Sequence, residues 1–403
     1  MRASGNMRTV RIVLITGLFA ISSISAFTAA DSAVTMDKLE SLPGYDLGLN
    51  GAELGPSGEK VIAYGADSNV IVFSSSDPTD YIEMPSIGAD SLNDASFHPS
   101  GNSAIIVGNN GTVLRYSDLD KSLTDASGGS FAGSNLTAVS WNPSGSWAYV
   151  GSTEGEIWRM RASDDGGSDI HLLEGLGGSD AVVSIECTSD AVLCVAITSF
   201  SGIAVIERDH SVSWVGGYST AWNDLECIDS RSSCVAISSS IVGTIHLNSS
   251  NPEKSIVSGV EILGTDSVFT GISHHGGTRF LISMAPYAIV EHDMERNATF
   301  PWLDNSDVAK VSVQLSGERV ISTWALDDDE GWILTDRGNL ASFNLLESKI
   351  GSSIGTTIIS LAVPLALVGL IVTIMMSFFD WGTNSSIGKS RKRSKPSEKR
   401  RRR

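Results

Sequence analysis

The stretch Trp141-Asn142-Pro143-Ser144-Gly145-Ser146-Trp147-Ala148 places a tight turn between two short runs of strand-forming residues. The same arrangement occurs earlier in the chain, at residues 97–104 and 54–61, with Pro-Ser-Gly in each turn. The first and last residues of each copy are apolar, and the same number of residues separates them in all three copies. Successive copies begin roughly 43 residues apart, a spacing that leaves room for more strands than one hairpin contains. The stretch is therefore one part of a longer structural repeat.

We call each such segment, two strand ends with a turn between them, a bracket. Further brackets of this length continue the repeat toward the end of the chain. They lie at residues 187–194, 227–234, 273–280 and 313–320. A period of about 40–45 residues with several short strands is typical of a β-propeller, in which each repeat forms one blade. The sequence therefore predicts an all-β, seven-bladed propeller over residues 50–347, after a lead-in at residues 31–49. We expect the seventh repeat to supply all four of its strands, with residues 36–50 as the alternative source of a closing strand.

Two stretches resemble blades of a known propeller class. Residues 104–117 read Ala-Ile-Ile-Val-Gly-Asn-Asn-Gly-Thr-Val-Leu-Arg-Tyr-Ser, and residues 155–159 read Gly-Glu-Ile-Trp-Arg. Both are similar to blades of the broad WD40, YVTN and BNR-like class, and Ser163-x-Asp165-x-Gly167 resembles an Asp-box turn. The resemblance covers about residues 50–347 and implies the positions of hairpins rather than of an active site. Members of that class bind proteins, sugars or small ligands, and a minority are enzymes. The resemblance therefore implies a binding role for this chain.

The start of the chain has the order of a secretory signal. Three arginines precede an apolar run at residues 12–27, and small residues follow at positions 28–30. We expect a signal peptide at residues 1–30 that is cleaved near Ala30. An uncleaved signal anchor is the alternative, because the apolar run is almost long enough to span a bilayer. In both cases the residues that follow are exported.

A second uncharged apolar stretch lies near the end of the chain. Residues 354–379 are long enough for a transmembrane helix, and a buried core helix is the alternative. Ten basic residues and one acidic residue, Glu398, follow Trp381, and positive charge beside a membrane helix marks the cytoplasmic side. We predict a joint at residues 348–353, one helix at 354–379 and a basic cytoplasmic tail at 380–403 that contacts anionic lipid. The chain would then be a single-pass type I protein of the cell membrane, with an extracellular propeller.

The exported part is strongly acidic. Residues 31–349 hold 15 of the 28 basic and 44 of the 46 acidic residues, so their formal charge is about −29. Such a surface repels nucleic acid, other polyanions and anionic lipid, which excludes nucleic acid as a partner of the propeller. The charge either keeps the protein soluble or attracts cations and basic ligands.

The cysteines repeat one pattern in two neighbouring units. They occupy the two ends of a bracket in each unit, where other units have apolar residues. Residues that face each other across a hairpin are about 4.5–5.5 Å apart, which a disulfide accepts, and export favours oxidation. The sequence therefore predicts the disulfides Cys187–Cys194 and Cys227–Cys234. A zinc site is the alternative, and it would require all four cysteines to meet.

Acidic and aromatic residues occupy the predicted connections between blades, near the central channel where propellers bind ligands. Such residues can coordinate a cation or stack on sugars and cationic side chains. Turn formation and packing between blades is the alternative explanation. The candidate ligand-binding residues are Asp94, Tyr218, Trp222, Asp224 and Asp304.

One loop of the seventh repeat concentrates carboxylates. It reads Asp327-Asp328-Asp329-Glu330, and we expect it on the same face as the connections between blades. Because Ca²⁺ takes six to eight oxygen ligands, the run predicts a calcium site, with a solvated loop as the alternative.

Four Asn-x-Ser/Thr sequons occur within the predicted propeller. Each lies in a predicted turn of an exported domain, so glycosylation is feasible. They begin at Asn110, Asn135, Asn248 and Asn297.

Two motifs of common enzyme classes, His-Glu-x-x-His and the P-loop, are absent from the sequence. The pattern Gly-x-Ser-x-Gly occurs at residues 351–355, outside the predicted propeller. We therefore predict a membrane-anchored extracellular propeller that binds a ligand or protein partner at the cell surface without catalysis. The alternatives are an exported hydrolase or lyase with carboxylates on the channel rim, and a membrane assembly or scaffold factor whose tail meets cytoplasmic partners.

Overall fold

The structure is a computed structural model in which the chain separates into a propeller unit that ends at Leu345 and a second unit that begins at Leu346. The described residues are 32–346, except 45, 164–166, 174–179, 201, 217–219, 262–266 and 328. Within them, no helix is both long and apolar enough to cross a membrane. The predicted signal peptide, joint, transmembrane helix and tail lie outside the described residues.

The described residues contain 28 strands in seven four-stranded antiparallel sheets, which are the blades. Each of the first six blades consists of four consecutive strands, and the first of the four lies nearest the channel. Blade 1 has β2 (Leu49–Leu54), β3 (Lys60–Gly65), β4 (Val70–Ser74) and β5 (Tyr81–Glu83). Blade 2 has β6 (Leu92–Phe97), β7 (Ser103–Gly108), β8 (Val113–Ser117) and β9 (Ser122–Asp125). Blade 3 has β10 (Leu136–Trp141), β11 (Ala148–Ser152), β12 (Ile157–Ala162) and β13 (Ser168–Leu172).

Blades 4 to 6 repeat this order. Blade 4 has β14 (Val182–Thr188), β15 (Leu193–Thr198), β16 (Ile203–Ile206) and β17 (Val212–Trp214). Blade 5 has β18 (Trp222–Ile228), β19 (Ser233–Ser238), β20 (Ile241–His246) and β21 (Ile256–Glu261). Blade 6 has β22 (Val268–His274), β23 (Arg279–Ala285), β24 (Ala288–Asp293) and β25 (Ala298–Leu303). A short helix, α1 (Asn305–Val311), lies in the connection from blade 6 to blade 7.

Blade 7 is assembled from both ends of the propeller unit. From the channel outward, its strands are β26 (Val320–Ala325), β27 (Glu330–Thr335), β28 (Asn339–Leu345) and β1 (Val34–Ser41). The expectation that the seventh repeat supplies all four strands is therefore wrong. The alternative source, residues 36–50, is partly correct, because the closing strand β1 overlaps it and begins two residues earlier. Val34 and Met36 of β1 are buried while Thr35 between them is exposed, so the alternation of a half-buried strand fixes the register.

A separate hydrophobic cluster fills each of the seven interfaces between neighbouring blades. Between blades 7 and 1, the ring centroids of Trp324 and Phe73 are 5.8 Å apart, and Trp324 Nε1 donates to the Ser75 carbonyl at 3.0 Å. Between blades 6 and 7, the centroids of Trp302 and Phe343 are 4.8 Å apart in an edge-to-face arrangement. The ring is therefore closed by the same kind of apolar packing that joins its other blades.

The brackets of the sequence correspond to the hairpins between the first and second strands of the blades. In blades 1 to 5 the two ends of each bracket pair directly across the hairpin. In blade 6 the pairing shifts by one residue, so that Ser273 pairs with Leu281. In blade 7 the bracket at 313–320 is wrong, because Val313 is exposed and precedes the inner strand. The Ser316-Gly317 pair belongs to a 3-10 turn in the connection between blades rather than to a hairpin.

Both predicted disulfides are confirmed. Cys187 pairs with Cys194 across β14 and β15, and Cys227 pairs with Cys234 across β18 and β19. Each bond closes a hairpin within one blade, so the two pairs lie in separate blades and form no four-cysteine zinc site.

The closing strand generates a prediction about stability. Met36→Lys should lower the free energy of unfolding by about 3 kcal/mol or more, because it places an unpaired charge in the core between blades 6 and 7. Thr35→Lys is the control, since its side chain is exposed on the same strand, and it should change stability by less than about 0.5 kcal/mol. Urea unfolding followed by circular dichroism measures both. Equal destabilisation by the two variants would contradict the observed register of β1.

Candidate functional site

The seven inner strands surround a central cavity of about 840 Å³. One end of the cavity is lined by Asn50, Asn93 and Asn223, near the start of their strands. The other end is lined by the first-hairpin turns, among them Pro56 and Pro99. We call this second end the first-hairpin mouth. The cavity therefore follows the inner strands along their length and is the channel of the propeller.

A β-bulge interrupts every inner strand at the same position. The register with the second strand shifts after the first residue pair in six blades and after the second pair in blade 6. A bulge inserts one unpaired residue and redirects its side chain. The inserted residues are Asn50, Asn93, Thr137, Val183, Asn223, Thr270 and Ile321.

The inserted residues connect neighbouring blades. In four blades the side chain donates to a backbone carbonyl at the start of the next inner strand. The acceptors and distances are Asn50 to Leu92 at 2.7 Å, Asn93 to Leu136 at 2.7 Å, Thr137 to Val182 at 2.6 Å and Asn223 to Phe269 at 2.9 Å. These hydrogen bonds satisfy carbonyl groups that would otherwise face the channel, so the polar lining at this end is structural.

Asp94 and Asp224 occupy the next position of their strands and also connect blades. Asp94 accepts the Val139 N–H of blade 3 at 2.7 Å, and Asp224 accepts the Ile272 N–H of blade 6 at 3.0 Å. Each carboxylate also accepts the N–H of the residue that follows it, at 2.8 and 2.9 Å. Both predicted ligand residues therefore lie in the channel wall, where they hold neighbouring strands together.

Three glutamates lie two positions further along their inner strands. They are Glu53 of blade 1, Glu186 of blade 4 and Glu226 of blade 5, and all three line the cavity. Each is half-buried, and among the described residues none forms a hydrogen bond or ion pair through its carboxylate. Unlike Asp94 and Asp224, these three carboxylates are free to meet a ligand.

Burial raises the pKa values of all five channel carboxylates, and repulsion from neighbouring carboxylates adds to it for all except Asp224. Loss of water contact is the main cause, and it raises the pKa of Asp94 to about 7 and that of Asp224 to about 6, against the lowering effect of their backbone hydrogen bonds. For Glu226 the charges of Asp224 and Asp229 add to burial, and its pKa is about 8. The pKa values of Glu53 and Glu186 are well above their usual range for the same reasons. An opposite charge in the channel would lower these pKa values again, so the entry of a cation would favour loss of protons from the carboxyl groups.

The structure separates two other predicted ligand residues, Trp222 and Asp304, from the channel. Trp222 is 2% exposed in the core between blades 4 and 5, so its prediction as a ligand contact is wrong. Asp304 caps α1, where its side chain accepts the Ser306 N–H at 2.8 Å. Tyr218 lies outside the described residues.

The acidic loop of blade 7 lies on the face opposite to the predicted one. It joins β26 to β27, so it is a first hairpin, and Asp327 lines the first-hairpin mouth. Asp327 Oδ1 accepts the N–H groups of Asp329 and Glu330 at 2.8 and 2.9 Å, and Asp328 lies outside the described residues. Among the described residues, no group of three or more acidic, histidine or cysteine side chains has the arrangement of a metal site. The calcium site stays a prediction.

The four sequons lie in turns or beside strand ends, as predicted. Asn110 is exposed in the second hairpin of blade 2, and its Nδ2 donates to Asp90 at 2.6 Å. Asn135 directly precedes β10, and Asn248 and Asn297 lie in turns of blades 5 and 6. Glycosylation of these residues stays a prediction.

Sequence reasoning missed the three channel glutamates, although the repeat marks them. Each directly precedes the first residue of a bracket, as in Glu53-Leu54, Glu186-Cys187 and Glu226-Cys227. The end of the inner strand before each of these brackets lines the channel, so a charged residue at this position is exposed to the cavity. Aligning this one position across the repeats would have found them.

Comparison with solved structures supports the fold. The chain is similar to the β-propeller domain of Cps50 (Swd1) from Myceliophteria thermophila, with a TM-score of 0.63. The two are 9% identical, and the match covers 77% of this chain and 100% of that chain. At this identity the similarity shows the fold alone, and it confirms the broad propeller class that the blade motifs resemble. No protein-family model matches the sequence, and no curated protein matches it.

The raised pKa of Glu226 predicts how stability depends on pH. Between its ordinary value of 4.5 and its folded value of about 8, the folded state keeps a proton that the unfolded state loses. The contribution of Glu226 therefore lowers stability progressively as pH rises through this window. Glu226→Gln should raise the free energy of unfolding by about 1 kcal/mol at pH 8, after allowance for screening by channel water, and by almost nothing near pH 4.5.

Urea unfolding at the two pH values measures this effect. Glu253→Gln is the matched control, because Glu253 is exposed on blade 5, and it should change little at either pH. Destabilisation of Glu226→Gln at pH 8 would show that the carboxylate makes a favourable contact in the folded state.

Proposed function

We propose that this protein is a membrane-anchored extracellular propeller that binds a cationic group of a protein partner in its channel, without catalysis. The observation that carries the proposal is the set of three channel glutamates, Glu53, Glu186 and Glu226, which have no hydrogen-bond or ion-pair partner among the described residues. Their burial lowers the stability of the free protein, and residues that lower stability in this way are often kept for function.

The electrostatics of the channel favour a positive ligand. Opposite charge inside a half-buried cavity is screened less than at the surface, so a cation gains more there than on an exposed loop. At the first-hairpin mouth, Asp229 and Asp327 are exposed and add negative charge to the entrance. Together with the acidic composition of the exported residues, they would attract a basic ligand toward the channel.

A cationic side chain fits this channel better than a metal ion. A metal requires several ligands at fixed short distances, and no such group is found among the described residues. A lysine or arginine side chain is long and can reach carboxylates spread over blades 1, 4 and 5. Thr323 adds a second unused group: it lines the cavity, is 4% exposed, and its hydroxyl has no hydrogen-bond partner among the described residues.

Binding is favoured over the hydrolase or lyase alternative. A carboxylate pair that performs acid–base chemistry must be free to exchange protons with the substrate. Asp94 and Asp224 are instead held by backbone N–H groups of the neighbouring blades. The three remaining glutamates have similar surroundings and raised pKa values, whereas acid–base catalysis usually needs two groups with different pKa values.

Two disulfides and the end sequences support the proposed location. Disulfides form and persist in oxidising compartments, which suits an extracellular propeller. The apolar stretch at residues 354–379 and the basic residues after it support a single membrane anchor with a cytoplasmic tail.

Peptide binding tests the channel site. The probe is a fluorescein-labelled Arg-Gly-Lys-Gly-Arg peptide, and its binding to residues 32–346 is measured by fluorescence anisotropy. A triple glutamine variant of the channel glutamates should weaken binding at least about 10-fold, which is about 1.4 kcal/mol. For the native protein, affinity should rise as pH increases from 6 to 8, because the carboxyl groups must lose protons to bind a cation.

A control with the same net charge separates the channel from the general acidity of the protein. It replaces three exposed glutamates with glutamine, namely Glu83, Glu154 and Glu253. This control should bind the peptide almost as tightly as the native chain does. Equal loss in the two triple variants would mean that the channel has no specific role.

The predicted topology is tested on intact cells. A protease added outside should cut within residues 347–354 and release the propeller as one compact fragment, since its ring is closed by β1 and β28. An epitope placed after Arg403 should stay protected from external antibody until the cells are permeabilised. An epitope that is accessible on intact cells would overturn the proposed orientation.

A further inference from the structure

A basic and aromatic cluster lies on blade 3, in a part of the protein that is otherwise acidic. It consists of Trp147, Arg159, Arg161 and His171, together with His210 of blade 4, and we call it the Arg159 patch. Arg159 pairs with Tyr149 on one side and with His171 on the other, so residues of β11, β12 and β13 share one face of the sheet. His210 comes from the hairpin between β16 and β17.

The Trp147 ring organises the patch. The guanidinium carbons of Arg159 and Arg161 lie 4.6 and 4.3 Å from its centroid, within the range of cation–π contacts. The ring centroids of His210 and Trp147 are 5.4 Å apart. His210 Nδ1 lies 2.8 Å from the hydroxyl of Tyr149, and Tyr149 is 2% exposed. These contacts hold the two guanidinium groups in fixed positions before any ligand arrives.

Within the patch, one cation is neutralised and one is not. Arg161 bonds Asp169 through Nε at 3.1 Å and Nη2 at 3.0 Å, and His171 Nε2 lies 2.7 Å from the same carboxylate. Arg159 has neither an ion pair nor a hydrogen bond among the described residues, and its Nε is buried without an acceptor. A half-buried guanidinium without a carboxylate partner is incompletely solvated, so its solvent-facing nitrogens are well placed to bind an anion.

Arg159 differs from the other unpaired basic residues. Four more basic side chains lack an ion pair within the described ranges, and all four are exposed to water. They are Arg115, Arg208, Arg231 and Lys254. Arg159 alone among these five is half-buried, so water solvates its charge less well than it solvates the other four charges.

We propose that the Arg159 patch binds a carboxylate side chain of an acidic peptide segment. The guanidinium of Arg159 offers a planar pair of donors that matches one carboxylate. A polyanion is disfavoured, because the exported residues carry a formal charge of about −29 and only one guanidinium of the patch is free. An acidic sugar is disfavoured as well, because guanidinium groups lie over the Trp147 ring on which a sugar would stack.

The patch lies on the same face of the propeller as the first-hairpin mouth, although it shares no residue with the channel site. Trp147 follows the first-hairpin turn of blade 3, and His210 lies in the third hairpin of blade 4. First and third hairpins lie on the same face of a blade, because successive strands are antiparallel. A partner on this face can therefore place a basic group in the first-hairpin mouth and an acidic group on the patch.

The test uses the full-length chain labelled with 5-fluorotryptophan. The fluorine resonance of Trp147 is assigned from its loss in Trp147→Phe, and the probe is an N-acetylated, C-amidated Gly-Glu-Gly-Glu-Gly peptide. The resonance should shift saturably with this peptide and stay unchanged with the Gly-Gln-Gly-Gln-Gly counterpart. Arg159→Gln should weaken binding by about 10-fold or more, which is about 1.4 kcal/mol.

Two further variants keep the test decisive. Arg231→Gln removes an exposed unpaired arginine of blade 5 and is matched in charge, so it should leave the affinity unchanged. Arg159→Lys keeps the charge but loses the planar pair of donors, and it should weaken binding several-fold even if Arg159→Gln fails to fold.

Several outcomes would overturn the proposal. These are the absence of a saturable shift with the glutamate peptide, and an equal loss of affinity in Arg231→Gln. Tighter binding of glucuronate, inorganic sulfate or heparin than of the peptide would show that the patch serves another class of anion.

Discussion

The pairing of β1 with β28 is the constraint on which the rest of the structure depends. Each blade buries one face against the preceding blade and one against the following blade, so an open ring would leave two apolar faces in water. The closing strand joins the residues before blade 1 to the last residues of blade 7, and Val34 and Met36 complete the core between blades 6 and 7. The channel exists only because this closure holds seven inner strands around one axis.

Closure also explains how polar groups are divided along the channel. At the bulge and the position after it, side chains such as Asn50, Thr137 and Asp94 bond to the backbone of the next blade. These groups stabilise the ring and are unavailable to a ligand. Two positions further on, Glu53, Glu186 and Glu226 make no such bonds, and burial together with the charges of neighbouring carboxylates raises their pKa values. The proposed site is thus the part of the channel wall that the ring does not use.

The first-hairpin face brings together groups of opposite charge. The mouth of the channel is acidic, whereas Arg159 on blade 3 is a half-buried cation without an ion pair among the described residues. Alternating charge on one face favours a specific orientation of the partner more than it favours tight binding. A partner with a basic and an acidic group at the matching separation would be distinguished from one that is merely basic.

Much of the fold was predictable from the sequence, and the exceptions have physical causes. The brackets around Pro-Ser-Gly turns located the first hairpins of blades 1 to 5, because a tight turn and its flanking strand ends are local features. The same spacing predicted both disulfides. Two predictions for the seventh repeat were wrong. Ser316-Gly317 forms a turn before the blade, and the fourth strand comes from the residues that precede blade 1. Pairing between residues at the two ends of the propeller follows from no local pattern, so residues 36–50 were only the alternative source of this strand.

The candidate site was predictable only in part. Asp94 and Asp224 were identified from the sequence and lie in the channel, but their bonds to Val139 and Ile272 depend on the neighbouring blades. Tryptophan is a residue type that often contacts ligands, but Trp222 lies in the core between blades 4 and 5. The packing of the two blades decides which side of the strand is covered.

The sequence by itself determined the repeat, the disulfide pairs and the acidity of residues 31–349, because these depend on composition and on contacts between residues close in the chain. Only the tertiary structure decided which strand closes the ring, which carboxylates stay unpaired and where Arg159 meets Trp147 and His210. Those outcomes arise from contacts between blades. Such contacts join residues tens or hundreds of positions apart, and the closed ring alone sets their geometry.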